Sequence, residues 1–374
     1  MNQKNILFVI SHFNSSPSIE LDILGIRTGG YHPICCLFSH EETLFEKNLK
    51  DAGITCIRIP YSGKISAFSI FYNLCCLILK YKPEIVHCHL LWAGMLGLSA
   101  AVVCGVPKRI ITRHYSDMHH IYYPKGVWYD WYCNKLATKI IATSENSLES
   151  LIDLEKVSQD KIKLIEYSYD FSIYDNIKKE RVQSLLNKYN PDKRTPVIGV
   201  VSRFVSWKGI HYIIPAFQRV LDLFPNAILV LAGTEGDYSV ELHQMLKSLP
   251  DNSYICINFE KDILALYKTF DVFVHTPVSK TVESAGSAFL EGLMSGVPCV
   301  FTLSGVANYF VEHRKNAYVV NYKNEDDIYN GIIACLNGFM KSKNIENTQE
   351  YIRNHFGHNT KVEQLLNLYA EPNK

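Results

Sequence analysis

The 374-residue chain has no charge of one sign in excess: Lys+Arg number 38 and Asp+Glu 37, for a formal net charge of +1. A field that small does not gather nucleic acid or a strongly anionic surface, so any anion site has to be local. No Cys-x-x-Cys spacing occurs among the 11 cysteines, and they make no compact framework of the secreted kind. They read as reduced, mostly buried thiols. Secretion is not expected, because the apolar run Ile6 to Ile10 is too short for a signal peptide and no small-residue cleavage site follows. The most apolar stretch, Leu90 to Pro107, carries Gly94, Gly97 and Gly105 between two strand-like runs. A helix buried on a parallel sheet explains it better than a membrane span does. Repeats of 20 to 50 residues and low-complexity tracts are also missing, which sets solenoids aside.

What is present is alternation. Short apolar or β-branched runs at Ile6 to Ile10, His32 to Phe38, Thr55 to Pro60, Ile85 to Cys88, Arg109 to Thr112, Lys139 to Thr143 and Lys161 to Glu166 are separated by helical patterns. Strands in that rhythm make a parallel α/β domain. A polar stretch rich in Asn, Lys and Asp follows from Ile173 to Thr195. The rhythm then restarts at Val197 to Val201, Ala227 to Ala232, Tyr254 to Asn258, Val272 to His275, Cys299 to Thr302 and Tyr318 to Val320. With 47% hydrophobic residues and a length beyond the roughly 250 to 300 residues one core supports, two domains are expected, over 1–185 and 186–350. A last helical segment, Thr348 to Ala370, has no strand left to feed, and residues 351–374 are expected to pack back on the first domain.

Three segments of the second domain suit a diphosphate. In Val200-Val201-Ser202-Arg203-Phe204-Val205-Ser206-Trp207-Lys208-Gly209 a strand ends in a loop with two cations before a helix opens. Such loops face ligands in α/β sheets; Arg offers phosphate a planar fork and Lys a point charge. Two solvated surface cations would give the same sequence. In Leu231-Ala232-Gly233-Thr234 a strand runs into a glycine turn, a feature of most α/β proteins. The most informative segment holds Glu283 and Glu291, eight positions apart, with Ser284, Ala285, Gly286 and Ser287 before the apolar start Phe289-Leu290. Small residues at a helix N-terminus present backbone N–H groups to phosphate, and Glu accepts hydrogen bonds from sugar hydroxyls.

These residues resemble the retaining glycosyltransferases of family 4. Their signature of Glu, seven residues, Glu and a following Gly-Val-Pro reads here as Glu283, Glu291 and Gly296-Val297-Pro298. Ser202-Arg203 through Lys208-Gly209 is similar to the family's Gly-Arg to Lys-Gly segment. Lys82-Pro83-Glu84-Ile85-Val86-His87-Cys88-His89, Gly105-Val106-Pro107 to Thr112-Arg113-His114, and Ile140-Ile141-Ala142-Thr143-Ser144-Glu145 are similar to motifs of its first domain. The resemblance implies a GT-B fold, two Rossmann-like doubly wound α/β domains facing a central cleft. It implies a donor that is a nucleotide diphosphate sugar, most often UDP-linked, and a glycan or lipid-linked acceptor in bacterial polysaccharide synthesis.

By the same resemblance Arg203 and Lys208 neutralise the diphosphate, so that no metal and no cofactor is needed. Glu283 holds sugar hydroxyls, Glu291 the ribose, Gly286 and Ser287 present backbone N–H groups to the phosphate and sugar, and His114 reaches the donor sugar; Gly233, from its own turn, is expected to let the ligand approach the backbone. The chain departs from the family at Ser11-His12-Phe13-Asn14-Ser15-Ser16-Pro17, at Tyr167-Ser168-Tyr169-Asp170 and at Ser304-Gly305-Val306-Ala307-Asn308, so divergence is expected in acceptor choice. A sugar-nucleotide epimerase, a phosphorylase and a non-catalytic partner of a transferase are the competing readings.

His87 and His89, two apart on a strand, share a face, but no third metal ligand is identifiable, and structural or substrate-contacting histidines are the better reading. The aromatic run Tyr122 to Tyr132, with Lys125 inside it, and the helical segment Ile65 to Lys82 suit either domain packing or peripheral contact with a membrane. The expected location is the cytoplasm, with the inner membrane face as the place of such contact.

Overall fold

A computed structural model describes residues 4–11, 14–283, 286–339 and 342–372. His12, Phe13, Ser284 and Ala285 lie outside the described residues. The chain divides into two units, Met1–Asp170 with Phe356–Lys374, and Phe171–His355. Each is built on a parallel sheet, the doubly wound α/β architecture expected from the alternating pattern.

The first unit has seven strands: β1 Lys4–Ile10, β2 Tyr31–Phe38, β3 Thr55–Ile59, β4 Ile85–His89, β5 Lys108–Arg113, β6 Lys139–Ala142 and β7 Ile162–Leu164. They lie in the order β3-β2-β1-β4-β5-β6-β7. β1 is apolar throughout because both its faces are covered. Ile6, Phe8 and Ile10 enter one core cluster, and Leu7 and Val9 enter another. The apolar stretch after β4 is the helix Leu91–Val103. A Cβ on Gly97 would stand 2.6 Å from Cys88 Sγ, so the glycine lets this helix press onto β4. Among the described residues no helix is long and apolar enough to cross a membrane.

The second unit has six strands: β8 Val197–Val201, β9 Ile228–Ala232, β10 Tyr254–Ile257, β11 Val272–His275, β12 Cys299–Phe301 and β13 Tyr318–Val319, ordered β10-β9-β8-β11-β12-β13. One stretch left unassigned in the sequence is structured, and one expectation needs correction. The polar stretch from Ile173 to Thr195 contains a helix, Lys179–Tyr189, whose one buried apolar side chain is Leu185. Polar bonds hold it instead: Arg181 Nε donates to Asp262 at 2.7 Å and Tyr189 Oη to Glu260 at 2.6 Å. The segment Thr348 to Ala370 is not one helix but parts of two, Ser342–Phe356 and His358–Ala370. They are separated at Gly357, whose backbone is extended (φ −71°, ψ 148°) and bridges to Tyr169.

The helix His358–Ala370 completes the first unit. It lies on the helix Pro17–Thr28 at Gly25 and Gly29, where added Cβ atoms would stand 2.4 Å from Val362 and 2.5 Å from Leu366. Leu365, Leu368 and Tyr369 enter the cluster of Ile6 and Phe8. Buried Lys108 donates from Nζ to the Tyr369 carbonyl at 2.7 Å, satisfying the helix end with a cation. Leu365→Ala is therefore expected to cost about 2–5 kcal/mol, read as a lower urea midpoint by tryptophan fluorescence. An unchanged midpoint would show that this helix is not part of the folded core.

Candidate functional site

In the second sheet, β9 and β10 grow to one side of β8 and β11 to β13 to the other. Loops leaving β8 and β11 at their carboxyl ends therefore part in opposite directions, and α/β sheets bind ligands at such a switch point. Loops of this unit meet there with no room for side chains. Gly209, at φ 73°, would place a Cβ 2.1 Å from the Thr276 carbonyl oxygen. A Cβ on Gly233 would come within 3.1 Å of the Ser202 carbonyl oxygen, and one on Gly236 within 2.2 Å of that of Phe204. The loops after β8, β9 and β11 are thus locked backbone to backbone.

Lys208 ends a short 3₁₀ turn, Ser206–Lys208, just before Gly209 opens the helix Ile210–Leu223. From there its Nζ makes an ion pair with Glu283 Oε1 in the loop after β11. His275 Nε2 lies 3.1 Å from the same oxygen. Burial alone would raise the Glu283 carboxyl, but Lys208 and His275 reverse this and hold it far below the ordinary value of 4.5. Glu283 is thus a fixed carboxylate that accepts hydrogen bonds and donates none. At the ends of the same two strands, Ser202 Oγ, Thr276 Oγ1 and His275 Nδ1 are buried without a hydrogen-bond partner among the described residues. Buried polar atoms are normally paired, so the carboxyl edge of β8 and β11 is a polar surface with unused capacity. Arg203, in the β8 loop, is exposed.

Glu291 stands apart from this pair in its bonding. It lies on the helix Ser287–Met294, which Gly286 opens at φ 76°, and its Oε2 accepts from Tyr267 Oη at 2.9 Å. Burial raises its carboxyl, and the Tyr267 bond opposes that.

His114 belongs to the first unit. Its Nδ1 is hydrogen-bonded to Tyr167 Oη, and its Nε2 lies 3.1 Å from His89 Nδ1. Both ring nitrogens are therefore engaged, and burial pushes the ring's pKa down to about 3, so it is neutral. His87 is engaged as fully, with Tyr369 Oη and Thr112 Oγ1 each at 2.7 Å.

Of the residues singled out in the sequence, the fold joins Lys208 to Glu283 and stacks the Gly233 turn on the Arg203 loop. Gly286 and Ser287 fall at the helix start, and His114 falls in the other unit. Sequence reasoning missed His275, Tyr267 and Tyr167. A histidine as the last residue of a wholly buried strand was the one readable signal, because a buried imidazole there needs a partner in the next loop.

The family model described as Glycosyl transferases group 1 matches residues 182–354, and that described as Glycosyltransferase Family 4 matches residues 29–171. The chain is a glycosyltransferase of this group. The capsular polysaccharide biosynthesis glycosyltransferase CapM of Staphylococcus aureus is 26% identical over 329 residues, 83% of each chain. The UDP-Gal:alpha-D-GlcNAc-diphosphoundecaprenol alpha-1,3-galactosyltransferase of Escherichia coli is 23% identical over 79% of this chain and 77% of its own. The crystal structure of Anabaena HepE in complex with UDP and glucose superposes with a TM-score of 0.84 at 20% identity, covering 98% of this chain and 100% of that one. The glycosyltransferase thus has the GT-B fold.

A depressed folded-state pKa means that Glu283 adds stability above its unfolded value near 4.5, and that this is lost as pH falls through the folded value. Lys208→Met takes the cation from the carboxylate, a loss expected to cost about 1–3 kcal/mol at neutral pH. The difference in Tm between this variant and wild type should be largest near pH 7 and shrink towards zero in acid. A difference independent of pH would rule out the ion pair as its origin.

Proposed function

We propose that this glycosyltransferase moves a sugar from a UDP-linked donor to a glycan or lipid-linked acceptor in bacterial surface polysaccharide synthesis, with retention at the anomeric carbon. The observation that carries the reading is the Lys208–Glu283 pair at the switch point of the second sheet, with Arg203 exposed in the loop that carries Lys208. A cation and a permanently ionised carboxylate side by side suit the two ends of a sugar diphosphate. Support for UDP comes from the HepE complexes, which hold UDP and, in another crystal, UDP-glucose. Support for the pathway comes from the capsular and undecaprenol-linked activities in the names of the relatives.

In this reading Arg203 and Lys208 neutralise the diphosphate as the bond from its β-phosphate oxygen to the anomeric carbon breaks, so no divalent ion and no cofactor is required. Glu283 accepts hydrogen bonds from the donor sugar's hydroxyls, and Glu291 from the ribose. Gly286 and Ser287 offer N–H groups at the start of their helix, while Gly233 leaves room for the nucleotide. The acceptor oxygen attacks from the face the leaving group departs, and a phosphate oxygen of the departing UDP takes the acceptor's proton. Glu283 is not the nucleophile, because its charge is already committed to Lys208 and His275. For His114 to touch the donor sugar, one of its bonds to Tyr167 and His89 has to be exchanged for it.

UDP and UDP-sugars should raise the melting temperature, GDP and ADP should not, and EDTA should leave the shift unchanged. Ligand at a hundredfold excess over Kd adds about 2.7 kcal/mol, well within reach of a thermal-shift measurement. Arg203→Ala should abolish the shift. A shift that survives in Arg203→Ala, or that EDTA removes, would overturn the metal-free diphosphate clamp.

A further inference from the structure

The helix Ala67–Tyr81 is apolar on both sides. Ile70, Leu74 and Ile78 are buried in the core, whereas Phe68, Tyr72 and Leu79 are 89%, 67% and 65% exposed, and Ile65 just before them is 94% exposed. The outer face of a helix in water is normally polar. Here residues 65, 68, 72 and 79, at helical spacing, make an outer stripe without a charge.

The stripe does not stand alone. The helices Ala67–Tyr81, Leu91–Val103 and Pro124–Leu136 touch in sequence and send their inner residues into one core cluster, on one face of the seven-stranded sheet. The third of them exposes Trp128 at 71% and Trp131 at 51%, with ring centroids 5.7 Å apart. An aromatic chain, Tyr61 to Trp92 at 6.0 Å and Trp92 to Tyr129 at 6.4 Å, runs from the segment before the first of these helices, through the second, to the third.

The charge on this face is one-sided although the whole chain is balanced. Lys80, Lys82, Lys125 and Lys135 are exposed. The acids between residues 61 and 136 are Glu84, Asp117 and Asp130. Glu84 is paired with Lys4 at 3.0 Å, Asp117 is half-buried, and Asp130 is buried against His119 and Arg113. Lys135 Nζ stands 6.0 Å from the Trp131 ring.

We propose that this three-helix face of the first unit docks on the surface of an anionic phospholipid bilayer. Indole and phenol rings settle at the level of the headgroups, aliphatic side chains enter the acyl boundary, and lysines remain among the lipid phosphates. A second copy of the chain is a poorer occupant, since a two-fold contact lays the same patch on itself and would set lysines against lysines. The inference rests on the transferase reading for its purpose, bringing the enzyme to a lipid-linked acceptor, but the surface itself does not depend on that reading.

The full-length protein should co-sediment with vesicles containing phosphatidylglycerol, and at least about tenfold more weakly with phosphatidylcholine vesicles or at high salt. Phe68→Ser combined with Trp128→Ser, both surface positions, should lose vesicle binding while keeping the melting temperature and the UDP-induced shift of wild type. Lys125→Glu combined with Lys135→Glu should lose the preference for phosphatidylglycerol. No binding to any vesicle, equal binding to both lipids, or full binding by the Ser variant would overturn the proposal. So would a dimer in light scattering that the Ser variant dissolves while vesicles stay unbound. The UDP shift is read separately: vesicle binding without any nucleotide shift would sink the transferase chemistry and leave the docking face standing.

Discussion

Much of the second unit's chemistry follows from the contact of Gly209 with the carbonyl of Thr276. The loop after β8 can cross to the loop after β11 only where no Cβ intervenes, and a Cβ at Gly209 would sit 2.1 Å from that oxygen. Because the two loops meet, Lys208 reaches Glu283, and His275, the last residue of β11, closes on the same oxygen. Compared with apolar side chains packed in the same space, such a buried pair adds little net stability, although breaking it is costly. What it supplies is a charge pattern fixed before any ligand arrives, which is the property that electrostatic stabilisation of a departing diphosphate requires.

The alternation of apolar runs was enough to place every strand, because a strand buried on both faces cannot be polar and has little alternative to the centre of a sheet. The polar stretch after the first unit was harder to read. The helix Lys179–Tyr189 buries little, and the bonds that hold it go to Asp262 and Glu260, more than 70 positions away. The break at Gly357 was likewise hidden, because its bridge to Tyr169 is a tertiary contact.

The site was legible to a similar depth. Arg203, Lys208, Glu283 and Glu291 could be picked out, since cations and carboxylates at strand ends have few structural uses. Their mutual geometry could not. Which carboxylate takes Lys208 depends on the loop crossing at Gly209, and the role of Tyr267 beneath Glu291 depends on packing between helices distant in sequence. Sequence motifs name the groups that carry charge, whereas the neutral partners that tune them are set by the fold.

That distinction separates the two units. Around the second sheet's switch point the polar groups are ionised, with Lys208 and Glu283 in contact. In the first unit, burial pushes His87 and His114 down to about 3 and His89 well below its usual range, so the row of imidazoles is neutral. Its members are tied to Tyr369, Thr112 and Tyr167, hydroxyl partners that leave it dipolar but uncharged. Tyr167 lies in Tyr167-Ser168-Tyr169-Asp170, one of the segments where the sequence departs from the motifs of its family. In the proposed reaction the donor carries a diphosphate at one end and sugar hydroxyl groups at the other. A charged surface suits the first, and a neutral set of donors and acceptors suits the second, because a hydroxyl is recognised by direction where a phosphate is recognised by charge. In that reaction, substitutions among Tyr167, His89 and His114 therefore bear on how the donor sugar is held, and those at Arg203 and Lys208 on whether the diphosphate is bound.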